Sequence, residues 1–188
     1  MLVDPDQVSV ADLRRYDLNI VAHWLAITKK RNRTAGSVLT MKYFQYLSLL
    51  FSEIYLDWYF NRRQALLDGL NGAMAMYHEE KGAEPFRDYT ADDLNKLAFW
   101  NATGSGKTLL LHVNIKQYLH YFQADAANPY PDRIILLTPN EGLSDQHLEE
   151  FRESGISAQL FDKNETSGMY RGWVDVIDVN KLADDMGD

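Results

Sequence analysis

Residues 101–108 read Asn101-Ala102-Thr103-Gly104-Ser105-Gly106-Lys107-Thr108. Two glycines one residue apart let the backbone curl until successive N–H groups point inward, and a lysine beside a hydroxyl follows them. Such a concavity suits a chain of phosphates. The N–H groups cradle oxygens, and a following helix adds the positive end of its dipole. Lys107 reaches the β and γ phosphates as a point charge, and the Thr108 hydroxyl completes the shell of a Mg²⁺ ion. Thr103, Gly104, Ser105, Gly106, Lys107 and Thr108 are therefore the expected triphosphate contacts, with Lys107 the candidate catalytic group. The general pattern G-x-x-x-x-G-K-[ST] has Asn101 where its first glycine falls.

A phosphate loop works only between a strand and a helix, and the flanking sequence predicts both. Leu97–Trp100 reads as a strand and Lys107–Phe122 as a helix, apolar on most sides and expected to pack deeply against a sheet. Asn128-Pro129-Tyr130-Pro131-Asp132 breaks that helix. Ile134–Leu137, Ala158–Phe161 and Trp173–Val179 follow as strands, with a helix at Leu143–Glu153, which is the βαβ grammar of a parallel sheet.

Residues 1–90 speak a different language. Ser9-x-x-Asp12 opens a helix from Val10 to Lys30, whose end carries Lys29, Lys30, Arg31 and Arg33 and reads as a solvated terminus. Val38–Phe60 reads as a mostly buried helix with Lys42, Gln45, Ser52 or Glu53, and Asp57 tracing a polar stripe. Trp58, Tyr59 and Phe60 read as core at helical spacing. A third helix covers Arg62–Glu80 and stops near Gly82, and Lys81–Tyr89 connects to the remainder. The expected fold class is α/β: a partial parallel P-loop sheet over residues 91–188, preceded by a helical region over residues 1–90.

Composition closes off other classes. The chain has 188 residues and a formal charge of −8, nearly all of it contributed after residue 100, so it is not a generally basic nucleic-acid coat. It has no cysteine, which excludes disulfides, thiol nucleophiles and cysteine-held metals and fits a reducing, cytoplasmic setting. The N-terminus lacks the positive start and apolar run of a secretory signal, and Glu53 and Asp57 interrupt Tyr43–Phe60, so no membrane anchor is expected. The five histidines show no H-E-x-x-H spacing, and His112 and His120 read as packing or surface residues.

The phosphate loop together with Ile134-Ile135-Leu136-Leu137-Thr138-Pro139-Asn140-Glu141-Gly142-Leu143-Ser144-Asp145-Gln146 resembles motifs I and Ia of superfamily 2 DEAD/DEAH-like helicases and translocases. Within that group it is closest to the motor subunit of type I and type III restriction enzymes, which tolerates a residue other than glycine at the position of Asn101. The resemblance covers about residues 97–161. It implies a RecA-like sheet, an ATP-dependent helicase or translocase using ATP and Mg²⁺, and DNA, expected as a duplex, as the track. It further implies modification or specificity subunits as partners. By the same resemblance Thr138 and Pro139 lie against a nucleic-acid backbone and Gln146 falls at a recurrent glutamine. Gln45, in Tyr43-Phe44-Gln45-Tyr46, is the candidate adenine reader, though farther from Lys107 than the family usually has it.

The acidic motif II and the motifs of a second motor lobe are not found, so the chain is expected to be the first part of a larger motor, cut before motif II. On that reading it binds ATP without completing catalysis. Asp178 reads as a strand-end residue rather than the missing metal acid. Pro5-Asp6 and Glu79-Glu80-Lys81 are too far apart to suggest a nuclease. Two rivals stand beside the motor. A small P-loop kinase is disfavoured because only Arg133, Arg152 and Arg171 follow the loop, and the other is a nucleotide-binding or interaction module without turnover. A GTPase finds no support, since Ala183 stands where N-K-x-D after Asn180-Lys181 needs an aspartate.

Overall fold

The Ser9-x-x-Asp12 box forms as the sequence predicts. Asp12 N–H donates to Ser9 Oγ at 3.1 Å, and Ser9 Oγ donates to the Asp12 carboxylate at 2.8 Å. It opens helix α1, Val10–Thr34, in a computed structural model that describes residues 8–34, 36–82, 86–124, 130–161 and 172–180. Pro5-Asp6, the Asn128-Pro129 break and Lys181 lie outside the described residues. Tyr16, Ile20, Trp24 and Ile27 recur at helical spacing and form the buried face of α1.

Helix α2 spans Tyr43–Asn61 and α3 spans Arg63–Lys81, with Gly82 ending α3 at a left-handed φ of 58°. Helix α4, Lys107–Phe122, has the predicted bounds. Strand β1 (Ile134–Thr138), helix α5 (Glu141–Glu153), β2 (Ala158–Leu160) and β3 (Val174–Asp178) follow. The three strands are parallel in the order β1-β3-β2, with Ile134 opposite Val174 and Thr138 opposite Asp178. Every residue of the central strand β3 is buried, whereas edge strand β1 leaves Ile135 and Leu137 about half exposed, at 52% and 54%.

Three expectations are corrected. Leu97–Trp100 pairs with no strand among the described residues, and Leu97, Phe99 and Trp100 are exposed. An apolar run can be read as extended, but a strand exists only where another edge accepts its hydrogen bonds. Helix α4 is buried chiefly against α1 and α2, where Leu110 and Val113 join Ile20, Trp24, Ile27 and Leu49. Toward the core formed by Phe151, Val174 and Val176 over the sheet α4 sends Ile115 and the ring of His112, which stacks on Phe151. The basic end of α1 is not simply solvated. Lys30 pairs with Glu153 at 2.7 Å, while Arg31 pairs with the Glu150 carboxylate and donates to Ser154 Oγ at 2.6 Å, tying α1 to α5.

The polar stripe of α2 faces inward. Gln45, Ser52, Glu53 and Asp57 are buried while Tyr43, Phe44 and Phe51 stand in solvent. Such burial is tolerable because each carboxylate is satisfied. Asp57 accepts from Tyr16 at 2.5 Å, Arg15 at 3.0 Å and Asn61 at 2.9 Å. Trp58 is buried with Leu66 and Leu94, as its helical spacing predicts. No helix among the described residues is long and apolar enough to cross a membrane.

Candidate functional site

The loop before α4 is a tight turn in which Ser105 N–H donates to the Ala102 carbonyl at 3.2 Å. Gly104 and Gly106 adopt φ values of 77° and 81°, a region that costs an L-residue roughly 1–2 kcal/mol. Gly106 is the N-cap of α4 and supplies no capping side chain, so the N–H groups of the first turn have no side-chain acceptor. Lys107 is exposed and its Nζ donates to the Ala102 carbonyl at 3.3 Å, across the mouth of the loop. Ser105 Oγ is buried and has no hydrogen-bond partner among the described residues. N–H groups at a helix start, an exposed cation and a hydroxyl without a partner among the described residues are chemically compatible with a phosphate group. Thr108 lies half-buried on the first turn, where its hydroxyl would serve a Mg²⁺ ion.

Gln45, placed at the loop only by resemblance, lies against it in the structure. Its Nε2 donates to the Ser105 carbonyl at 2.9 Å, and its Oε1 accepts from Lys42 N–H at 2.8 Å. A Cβ at position 106 would stand 2.7 Å from Gln45 Nε2. Gly106 is thus required by its φ, and a side chain there would also have to displace Gln45.

The carboxyl ends of β1 and β3 make a second polar region. Thr138 is buried, with Oγ1 2.6 Å from Ser144 Oγ and donating to the Ile177 carbonyl at 3.3 Å, so its hydroxyl faces the protein interior. Pro139 and Asn140 are exposed, and the Asn140 side chain accepts from Leu143 N–H at 3.0 Å to cap α5. Asn180 Nδ2 reaches the Pro139 carbonyl at 3.1 Å and joins the two strand ends. Asp178 accepts from Asn180 N–H at 2.9 Å, the duty of a strand-end residue. The sequence alone presents Asn180 only as a failed guanine reader. Its tie to Pro139 spans 41 positions and has no local signal.

The remaining titratable groups serve packing. His112 stacks on Phe151 with ring centroids 4.5 Å apart and its Nδ1 lies 2.6 Å from Ser154 Oγ. Burial, reinforced by Arg31 and His147, pushes its pKa down to about 4. His23, half-buried beside His120, is also pushed down to about 4, chiefly by its partial burial. Among the described residues no group of three or more histidines and carboxylates is arranged to hold a metal.

A three-stranded parallel sheet with α5 packed on it, together with a glycine loop opening α4, is a mixed α/β architecture. The family model for the type III restriction enzyme, res subunit, matches residues 61–174. That is more than half of the chain, which belongs to this family, as the resemblance of its motifs implied. The matched stretch carries the glycine loop at residues 101–108, β1, α5 and β2, while α1 and nearly all of α2, Gln45 included, precede it. No curated protein and no solved structure matches the chain.

Proposed function

We propose that the chain is the ATP-binding first part of a RecA-like motor domain in a restriction-type DNA helicase or translocase. The observation that carries this reading is the pair of left-handed glycines, Gly104 and Gly106, running directly into an uncapped helix whose first residue is Lys107. On this reading the N–H groups from Gly104 onward and Lys107 hold the triphosphate, and the Thr108 hydroxyl holds Mg²⁺. Bound Mg²⁺–ATP supplies a phosphoryl bond whose hydrolysis drives movement. The exposed apolar residues of β1 and of Leu97–Trp100 support a sheet that is only partly present, and the chain is accordingly proposed to bind ATP without turning it over.

DNA is proposed to run along the carboxyl ends of the strands, the face where parallel sheets take their ligands. Pro139, Asn140 and Asn180 stand exposed there, and buried Thr138 anchors them from beneath. Modification or specificity subunits are the proposed partners, by family. The cytoplasm is the proposed location.

The test is a titration of the chain and of Lys107→Ala with ATP, GTP and slowly hydrolysed analogues in Mg²⁺, with phosphate release measured in the same samples. The expected result is binding by the natural chain, loss of at least about tenfold in affinity in the variant with its fold intact, and no turnover in either. Equal affinity in the two proteins overturns the phosphate-loop assignment. Turnover by the natural chain overturns the view that its catalytic set is incomplete.

A further inference from the structure

Gln45 is occupied at both ends of its carboxamide, by Lys42 N–H on Oε1 and by the Ser105 carbonyl on Nε2. Each atom keeps one further N–H or lone pair, so these contacts fix the plane of the amide without using up its capacity for a base edge. The contact with Ser105 does more than that. The carbonyl of Ser105 and the N–H of Gly106 belong to one planar trans peptide and point in opposite directions. Drawing that carbonyl onto the Gln45 side chain turns the Gly106 N–H away from it. The Ser105 peptide is free of any helical ladder, so the side chain on α2 fixes its rotation. Gly106 has a φ of 81°, and a Cβ built on it would lie 2.7 Å from Gln45 Nε2, so the tip of the side chain that holds this peptide sits directly against position 106.

On these grounds, and resting on the nucleotide-binding reading above, we infer that Gln45 is a positioning residue of the phosphate loop: it holds the Ser105–Gly106 peptide so that the Gly106 N–H faces the triphosphate. Gln45 then acts on every ligand that carries the phosphates.

The experiment uses Gln45→Met, neutral and of similar length, and measures affinity for ATP, GTP and inorganic tripolyphosphate in Mg²⁺ by calorimetry. The Gly106 amide resonance is followed in the same proteins. The expected result is a drop of about tenfold for all three ligands, the size expected of losing one oriented hydrogen bond. The Gly106 amide should shift in the ligand-free variant. A variant that keeps tripolyphosphate affinity but loses ATP affinity overturns the inference in favour of a base reader. Unchanged affinity for all three ligands overturns it as well.

A second pair of variants covers the case in which Gln45→Met is too unstable to titrate. Gly106→Ala pushes Gln45 off the loop, so in Gly106→Ala and Gln45→Ala/Gly106→Ala the losses of tripolyphosphate affinity should be equal; additive losses overturn the coupling. If the natural chain binds none of the three ligands, the nucleotide-binding reading fails first, visibly and before any variant is compared.

Discussion

Glu53 on α2 accepts a hydrogen bond from Gln117 Nε2 on α4 at 2.5 Å, with both side chains fully buried. Asn19 of α1 donates to the same carboxylate at 2.5 Å and Tyr121 of α4 at 2.8 Å, so one buried acid joins three helices. Removing it strands three donors. Glu53→Ala is expected to cost about 3 kcal/mol or more, the penalty for unsatisfied buried polar groups added to a cavity. Glu53→Gln, which keeps shape and one acceptor, should cost less than half of that. Urea unfolding of the three proteins checks the order, and equal midpoints for Ala and Gln would show that the donors find other partners.

That network also marks the limit of what could be read in the sequence. The spacing of Lys42, Gln45, Glu53 and Asp57 reveals a polar stripe, and the helix around it ends within one residue of the expected Phe60 but starts at Tyr43, five residues after the expected Val38. Which way the stripe faces depends on partners far along the chain: Arg15, Tyr16 and Asn19 on one side, Ser105, Gln117 and Tyr121 on the other. Periodicity gives the face, and only tertiary pairing gives its sign. The bounds of α4 are legible because Gly106 and Lys107 announce its start locally. The failure at Leu97–Trp100 has the same root as that of the stripe, since a ladder needs a second edge and a sequence window contains only one.

Gly104 and Gly106 share a left-handed φ but differ in what surrounds them. A Cβ at 104 meets nothing within 4 Å, whereas one at 106 meets Gln45 Nε2 at 2.7 Å. Gly104→Ala should therefore cost only the backbone strain, about 1 kcal/mol. Gly106→Ala carries that strain together with displacement of Gln45 and should lower the melting temperature further. Thermal melts of the two variants side by side test the ranking; a Gly104 variant as damaged as its neighbour would mean that the turn itself, and not the contact with α2, sets the requirement.

Asp57 is buried, which alone would raise its pKa. Hydrogen bonds from Arg15, Tyr16 and Asn61 outweigh that and hold its carboxyl below the usual carboxylate range. A lowered native pKa means the unfolded chain takes up a proton first on acidification. The stability from Asp57 is thus whole above about pH 4 and is lost as the pH falls further. Breaking the pair with Asp57→Ala is expected to cost about 2 kcal/mol at neutral pH, less than a fully buried pair because half of Arg15 is in solvent. Acid titration of unfolding midpoints should show the natural protein losing stability below about pH 4 more steeply than the variant.

His112 acts in the next window up. Burial, with Arg31 and His147 adding repulsion, pushes its native pKa to about 4, against the 6.5 of an exposed imidazole. The native state keeps the ring neutral between these values while the unfolded chain binds a proton. Stability is therefore whole above about pH 6.5 and falls as the pH drops toward about 4. Each such histidine contributes a slope of up to about 1.4 kcal/mol per pH unit. His23 has the same displacement, caused first by burial and then by His120 and Lys116, so two groups act together. Urea midpoints measured from about pH 7.5 to about pH 4.5 should decline in the natural chain and decline about half as steeply in either His112→Gln or His23→Gln. A decline of undiminished steepness in both variants would place the proton uptake on other groups and leave the packing of His112 on Phe151 without a part in the response to pH.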